Sequence, residues 1–396
     1  MENQNPVFIP GPTNIPERLR KAMSVPTWDH RSQEFGRMFV PLLQDLKQPF
    51  GTTRGDVAVF TASGTGGWET AITNTLSPGD TVLAARYGMF SHRWIDLCER
   101  HGLDVKVIDC EWGEGAPIAA YRDALAADTD HRIKAVLTVH NETATGVRSD
   151  VRAVREAMDA ADHPAMLFVD GVSSIGSMEF RMDDWGVDMA VAGSQKGFML
   201  ATGLAIVAAS PKAQAAMETA RLPRCYFDLR DMLAAGGKGS YPYTPAIGLI
   251  EGLRESMNML LAEGLENVHA RHFRIAEGVR RAVAAWGMEV CARHPELNSD
   301  TVTAIMVPDG FDSTELVNYA NETYGVSFGI GLGQVAGQLF RIGHLGQMSD
   351  VMALSGIATA EMAMKDLGYP IELGSGVAAA QEYYRANSAV AQRKTA

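Results

Sequence analysis

This sequence predicts an α/β fold, a mostly parallel sheet with helices on both faces, followed by a smaller α+β domain. Three observations carry the expectation. From about residue 55 to 210, short β-branched apolar runs alternate with longer amphipathic stretches, as βα units require. After residue 211 the pattern changes to helical periodicity over 246–286 and then to a second group of strand-like runs. The chain's 396 residues also exceed the roughly 250–300 at which a single core stops growing. The expected division is a large domain over 26–265 and a small one over 266–396.

The elements follow in order along the chain. VAVFTAS (57–63) precedes a helix-like GWETAITNTL, VLAAR (82–86) precedes SHRWIDLCERHG, and VKVID (105–109) precedes AAYRDALAAD. IKAVLTVH (133–140) precedes DVRAVREAMDAAD, and AMLFVDGV (165–172) follows it. MAVAGS (189–194) and LAIVAAS (204–210) close the first series. The stretch 246–286 reads as one helical link between domains. MEVCARHPE after it reads as strand-like, as do TVTAIMVP (301–308) and LFRIGHLG (339–346), which lie on either side of helix-like STELVNYANETYG and glycine-rich GIGLGQVAGQ. One more helix, DVMALSGIATAEMAMKDLG, comes before a polar tail expected to fray after Tyr384.

Composition excludes several classes. A net charge of −12 argues against nucleic acid, whose phosphates need a basic face. No run approaches the ~18 apolar residues of a membrane span, and the N-terminus lacks an apolar signal core. Cys98, Cys110, Cys225 and Cys291 form no CxxC pair, so free thiols, no metal site and a cytoplasmic address are expected.

Ligands of open α/β sheets bind beyond the carboxyl ends of the strands, and four strands deliver candidates there. The first delivers Thr65, Gly66 and Gly67 at a helix mouth, either a phosphate cradle or a plain strand-to-helix turn. The fourth ends in HNETATG, which contains Thr143. The fifth ends in Asp170, either a ligand-binding carboxylate or a helix cap. The sixth ends in Gln195 and Lys196, and between Gly186 and Ser210 the only charged residues are Asp188 and Lys196. A lysine is rarely buried without compensation. One ligand satisfies all of these groups: pyridoxal 5′-phosphate. It has a phosphate for the Thr65 loop, a ring nitrogen for Asp170 and an aldehyde for Lys196.

The order GPTN, SGTGG, HNETATG, VDGVSSIG, SQKG, YPYT and FRIG resembles the alanine/serine–glyoxylate aminotransferases, fold type I of the pyridoxal-phosphate enzymes, from residue 9 to about 346. The resemblance implies that Phe90 stacks on the pyridine face and that Thr143 bonds the ring oxygen or the Asp170 region. It also places Val172 at the cofactor and Gln195, Thr65, Gly66 and Gly67 near the phosphate. Tyr241 and Thr244 match a pair that reaches the phosphate from the neighbouring subunit, which implies a homodimer with shared sites. Arg341 matches the arginine that grips the substrate α-carboxylate. The resemblance also implies that residues 1–25 are a segment bordering the active site and that Thr13, Asn14 and, just beyond it, His30 lie at the substrate. Read alone, Phe90 is open to a second reading as a core aromatic and Arg341 to one as a surface ion-pair partner.

The expected reaction moves the amino group of L-serine or L-aspartate to glyoxylate, giving glycine and the matching 2-oxo acid. The alternatives are an alanine–glyoxylate aminotransferase and a cysteine-desulfurase-like lyase. A desulfurase needs a mobile cysteine late in the chain, and Cys291 lies well before Arg341. A donor with a second carboxylate needs a further cation or hydroxyl, for which Arg31, His30 and His344 are the candidates. A homologue kept for binding alone would be expected to have lost Lys196 or Asp170.

Overall fold

The computed structural model describes residues 5–26 and 28–387. Its strands are β1 (Asp56–Thr61), β2 (Thr81–Arg86), β3 (Asp104–Asp109), β4 (Ile133–Val139), β5 (Asn141–Glu142), β6 (Val147–Arg148), β7 (Met166–Asp170), β8 (Met189–Gly193), β9 (Leu204–Ala209), β10 (Val302–Met306), β11 (Gly329–Ile330) and β12 (Leu339–Gly343). Seven of them form one sheet in the order β1-β9-β8-β7-β4-β2-β3. Only β9 runs against its neighbours, so the sheet is mostly parallel, as the alternating pattern predicts. Every residue of β7, β8 and β9 is buried, because helices cover both faces of a parallel sheet. Edge strand β3 instead carries Asp104, Lys106 and Asp109 and is half-exposed, which discourages pairing with another chain.

A second, antiparallel sheet, β10-β12-β11, packs with the helices Leu265–Ala285, Ser313–Tyr324, Asp350–Asp366 and Ser375–Ala386 around its own core. The two cores meet along the helix Leu265–Ala285: Val268 belongs to the first and Ile275 to the second. The N-terminal segment is divided in the same way. Phe8 stacks on Phe328 in the small core, while Leu19 is buried in the large one.

Three sequence expectations are corrected. Residues 246–286 are two helices, Ile247–Glu263 and Leu265–Ala285, broken at Gly264 with φ of 85°, a conformation open to glycine at no steric cost. The stretch MEVCARHPE forms only an isolated bridge, Val290 to Ile305. The last helix runs past Tyr384 to Ala386, and residues 388–396 lie outside the described residues.

Candidate active site

Lys196 lies three residues beyond the end of β8, in a turn pinned by Ser194. The Ser194 hydroxyl donates to Ala201 O (2.7 Å) and accepts from Leu204 N (3.0 Å). The lysine is buried at 9% exposure, and its Nζ donates to the carbonyl of Pro10. Residues 8–13 therefore pass directly over it, and Thr13 N bonds Gln195 O at 3.2 Å. Gly11 makes this approach possible: its φ is 105°, and a Cβ there would lie 2.5 Å from Nζ. Burial pushes the Lys196 pKa down to about 8, the Arg341 charge acts in the same direction, and Asp170 opposes both. About a tenth of the amine is then uncharged at pH 7, far more than for an ordinary lysine, and this is the form that can attack a carbonyl.

Asp170 is the last residue of β7 and pairs with Val191 of β8 and Val139 of β4. Its position at the centre of the sheet follows from the fully apolar run before it. The carboxylate accepts from Val172 N at 2.8 Å. Burial raises its pKa to about 7, against the Val172 amide and Lys196, while the nearby Glu142 charge adds to the rise. Such a group wants a cationic partner, and a protonated ring nitrogen would be one.

Lys196 and Asp170 both border a cavity of about 230 Å³ that also touches Gly11, Pro12, Thr65, Phe90, Thr143, Val172 and Gln195. Seven of the residues named from the sequence thus meet at one place. Thr143 is set there by a small network, its hydroxyl donating to Ser173 Oγ (2.8 Å), which also accepts from Asn141 (2.8 Å). Gly66 and Gly67 do not face the cavity. A Cβ on Gly67 would strike Val191, and one on Gly66 would lie 3.0 Å from the Phe227 ring. Their missing side chains let the helix Gly64–Thr75 lie close on the sheet.

Arg341, in β12, is buried at 5% exposure. Its partners are carbonyls, with Nε donating to Ile330 O (3.0 Å) and Nη1 to Thr143 O (3.0 Å). It is therefore not a surface ion-pair residue. Burial lowers its pKa to about 10, which still leaves it charged at neutral pH.

Other expected residues lie elsewhere. Asn14 is used up by the backbone of Val7, to which it both donates (2.8 Å) and accepts (2.9 Å), so it shapes the N-terminal segment. Thr13 is buried with its hydroxyl unpartnered, and His30 Nε2 is likewise buried without a partner. Arg31 is exposed. His344 is buried between Thr303 Oγ1 (2.9 Å) and Asp300 O (3.2 Å) and is held well below its usual pKa by burial, so its role is structural. Neither Tyr241 nor Thr244 borders the cavity of its own chain. Tyr241 is buried and accepts from Thr61 N at 3.2 Å, whereas Thr244 is exposed.

Sequence reasoning missed Trp68 and Ser173, which line the cavity, and the buried Glu142 behind Phe90. Trp68 carries no sequence signal, since its helix is buried on most sides and a tryptophan there reads as core.

The residues present fit pyridoxal phosphate. The cavity has room for one substituted ring, the lysine and carboxylate that its aldehyde and ring nitrogen require both border it, and Gln195 Oε1 is a buried polar atom without a partner. Among the described residues no cluster of metal-ligating side chains occurs, and no helix is long and apolar enough to cross a membrane.

Known proteins show the same arrangement of sequence. An L-aspartate–glyoxylate aminotransferase of Paracoccus denitrificans is 66% identical over 396 residues, 100% of both chains. A serine–glyoxylate aminotransferase of Hyphomicrobium methylovorum is 54% identical over 96% of this chain and 95% of its own. The crystal structure of pyridoxamine–pyruvate aminotransferase from Mesorhizobium loti superposes with a TM-score of 0.91 at 27% identity, over 98% of this chain and 99% of that one. The pattern of the class-V aminotransferases matches residues 21–341. With the lysine and carboxylate on its cavity and the arginine bonded behind it to Thr143 O, the chain belongs to the class-V aminotransferase family and is a transaminase.

Proposed function

We propose that this aminotransferase uses pyridoxal 5′-phosphate to move the amino group of L-aspartate or L-serine to glyoxylate, in the cytoplasm. The observation that carries the reading is the buried pair Lys196 and Asp170 on one small cavity, with Arg341 charged beside it. Whole-chain identity of 66% to the aspartate-using relative, against 54% to a serine-using one, puts aspartate first and alanine behind both. The desulfurase alternative needs a thiol at the cofactor, and none of the four cysteines borders the cavity, while burial pushes Cys98 up to about 12 and Cys291 up to about 11.

When bound, pyridoxal phosphate supplies an electron sink for a carbanion at the substrate α-carbon. The chain's own residues do the rest. Arg341, oriented by two carbonyls, has Nη2 free for the α-carboxylate shared by every donor and by glyoxylate. Asp170 holds a proton on the ring nitrogen. Lys196 Nζ, whose charge burial makes easier to lose, would in its neutral form take the proton from the substrate α-carbon. The segment Pro10–Thr13 covers the lysine and keeps water from it.

The test is glycine formation from glyoxylate with aspartate, serine and alanine in turn. The expected order of kcat/KM is aspartate, serine, alanine. Arg341→Lys should lower all three by roughly 10- to 100-fold, because one ammonium cannot keep the two carbonyl bonds that fix the guanidinium and also offer an N–H to the carboxylate. No glycine from any donor would overturn the function, and unchanged constants in Arg341→Lys would remove the carboxylate role.

The active enzyme is a homodimer, with Thr244 and Tyr241 completing the partner's phosphate site; neither borders the cavity of its own chain, which supports this reading. Lys196→Ala chains mixed with chains altered at both Tyr241 and Thr244, under conditions that exchange subunits, should recover up to about a quarter of wild-type activity, since random pairing gives half heterodimers with one intact site each. Proven heterodimers without activity would show that the two residues serve their own chain.

A further inference from the structure

Glu142, the second residue of β5, is fully buried, yet no chemical step described above uses it. Three backbone N–H groups converge on its carboxylate: Phe90 N at 3.1 Å and Ser91 N at 3.0 Å on Oε2, and Ala144 N at 3.2 Å on Oε1. Phe90 and Ser91 open the helix Met89–Arg100, whose first amides have no partner within the helix. A carboxylate from another strand thus serves as the cap that Gly88, lacking a side chain, cannot be, and its charge suits the positive end of the helix dipole.

Gly88 confirms how closely the two fit. Its φ of 178° is extended backbone that any residue adopts, so glycine is not required there by conformation. It is required by space, since a Cβ would overlap Glu142 Cγ and Cδ. Burial of the carboxylate is unfavourable and raises its pKa, while the amides of Ser91, Ala144 and Phe90 pull it back. The chain therefore keeps a costly buried group at the point where the helix turns Phe90 into the cavity. On the far side, Arg93 lies 5.6 Å from the Phe90 ring centroid.

We propose that Glu142 is a positioning residue for Phe90: by capping the helix from β5 it fixes the plane that the aromatic ring presents to the cofactor. This rests on the cofactor reading given above. The same carboxylate neighbours Thr143, whose carbonyl holds Arg341, and its charge favours the Arg341 guanidinium without a hydrogen bond to it, so the role toward Phe90 is read from cofactor retention in the absence of substrate.

The test is a double-mutant cycle on the pyridoxal 5′-phosphate dissociation constant, measured from visible absorbance without substrate. Phe90→Ala should weaken binding roughly tenfold, the scale of a lost stacking contact. Glu142→Gln, which keeps the size but opposes an amide to the helix donors, should cost a few-fold. The double variant should be no more than about twofold worse than Phe90→Ala, because residues acting through one another are not additive. Donor KM should move less than the cofactor constant. If Glu142→Gln does not fold, Gly88→Ala, which displaces the carboxylate but leaves its charge, takes its place in the same cycle. Multiplicative effects, or unchanged cofactor affinity in the single variant, would overturn the proposal. A wild-type protein that binds no pyridoxal phosphate would instead sink the cofactor reading itself, before any variant is made.

Discussion

Lys196→Ala is expected to eliminate transamination, with a fall in kcat of at least ~10³-fold, because the group that moves the α-proton is removed and such groups typically contribute about 10²–10⁴-fold. The visible band of the wild-type holoenzyme should be bleached by borohydride, which links cofactor and chain, and the variant should show no such linkage by mass spectrometry. Folding should survive. Burial depresses the Lys196 pKa to about 8, which means that the empty protein gains nothing from the charge there. Normal turnover and a reducible bond in the variant would move the lysine role elsewhere in the chain.

Asp170→Asn should have the second largest effect. A neutral amide cannot hold a proton on the ring nitrogen, and the loss of one preorganised electrostatic partner costs about 3–4 kcal/mol in the barrier, or roughly 10²–10³ in kcat. The carboxyl also makes a separate prediction for the cofactor-free chain. Its folded pKa is raised from 3.8 to about 7 by burial, so the folded state holds the proton more tightly than the unfolded state does. The stability this provides is present below pH 3.8 and is lost as pH rises toward 7. Cofactor-free Asp170→Asn should therefore melt higher than cofactor-free wild type at pH 8, and the gap should shrink toward pH 4. Thermal melts of both proteins across that range check it. Equal slopes would show that the carboxylate is not isolated as described, and near wild-type turnover would remove its catalytic role.

The large domain was legible because its strands are fully buried. Runs such as MAVAG and LAIVAA have no polar face, and the helices between them have one, so their order alone implies a covered parallel sheet. Lys196 and Asp170 were legible for the same reason, each being a charge after an apolar run. The break at Gly264 was not, because strong helix formers lie on both sides and a lone glycine is tolerated inside a helix. Glu142 was missed because a charged residue in a loop-like HNETATG reads as solvated. Only the fold brings the amides of Phe90 and Ser91 onto it. Asn14 was placed at the substrate by likeness of sequence, but its amide closes a local bond to Val7 instead.

The segment that lies over Lys196 has a consequence for how the protein folds. Phe8 O accepts from Gly343 N, Phe8 N donates to Ser327 O, and the carbonyl of Pro10 meets a lysine 186 positions along the chain. These residues lie far along the chain from each of these partners, so their contacts are expected to be among the last to form in folding. Loops of that length close slowly. The lysine turn, closed by Ser194 within about ten residues, needs no such long loop, so in refolding the amine should become enclosed later than the turn that carries it forms.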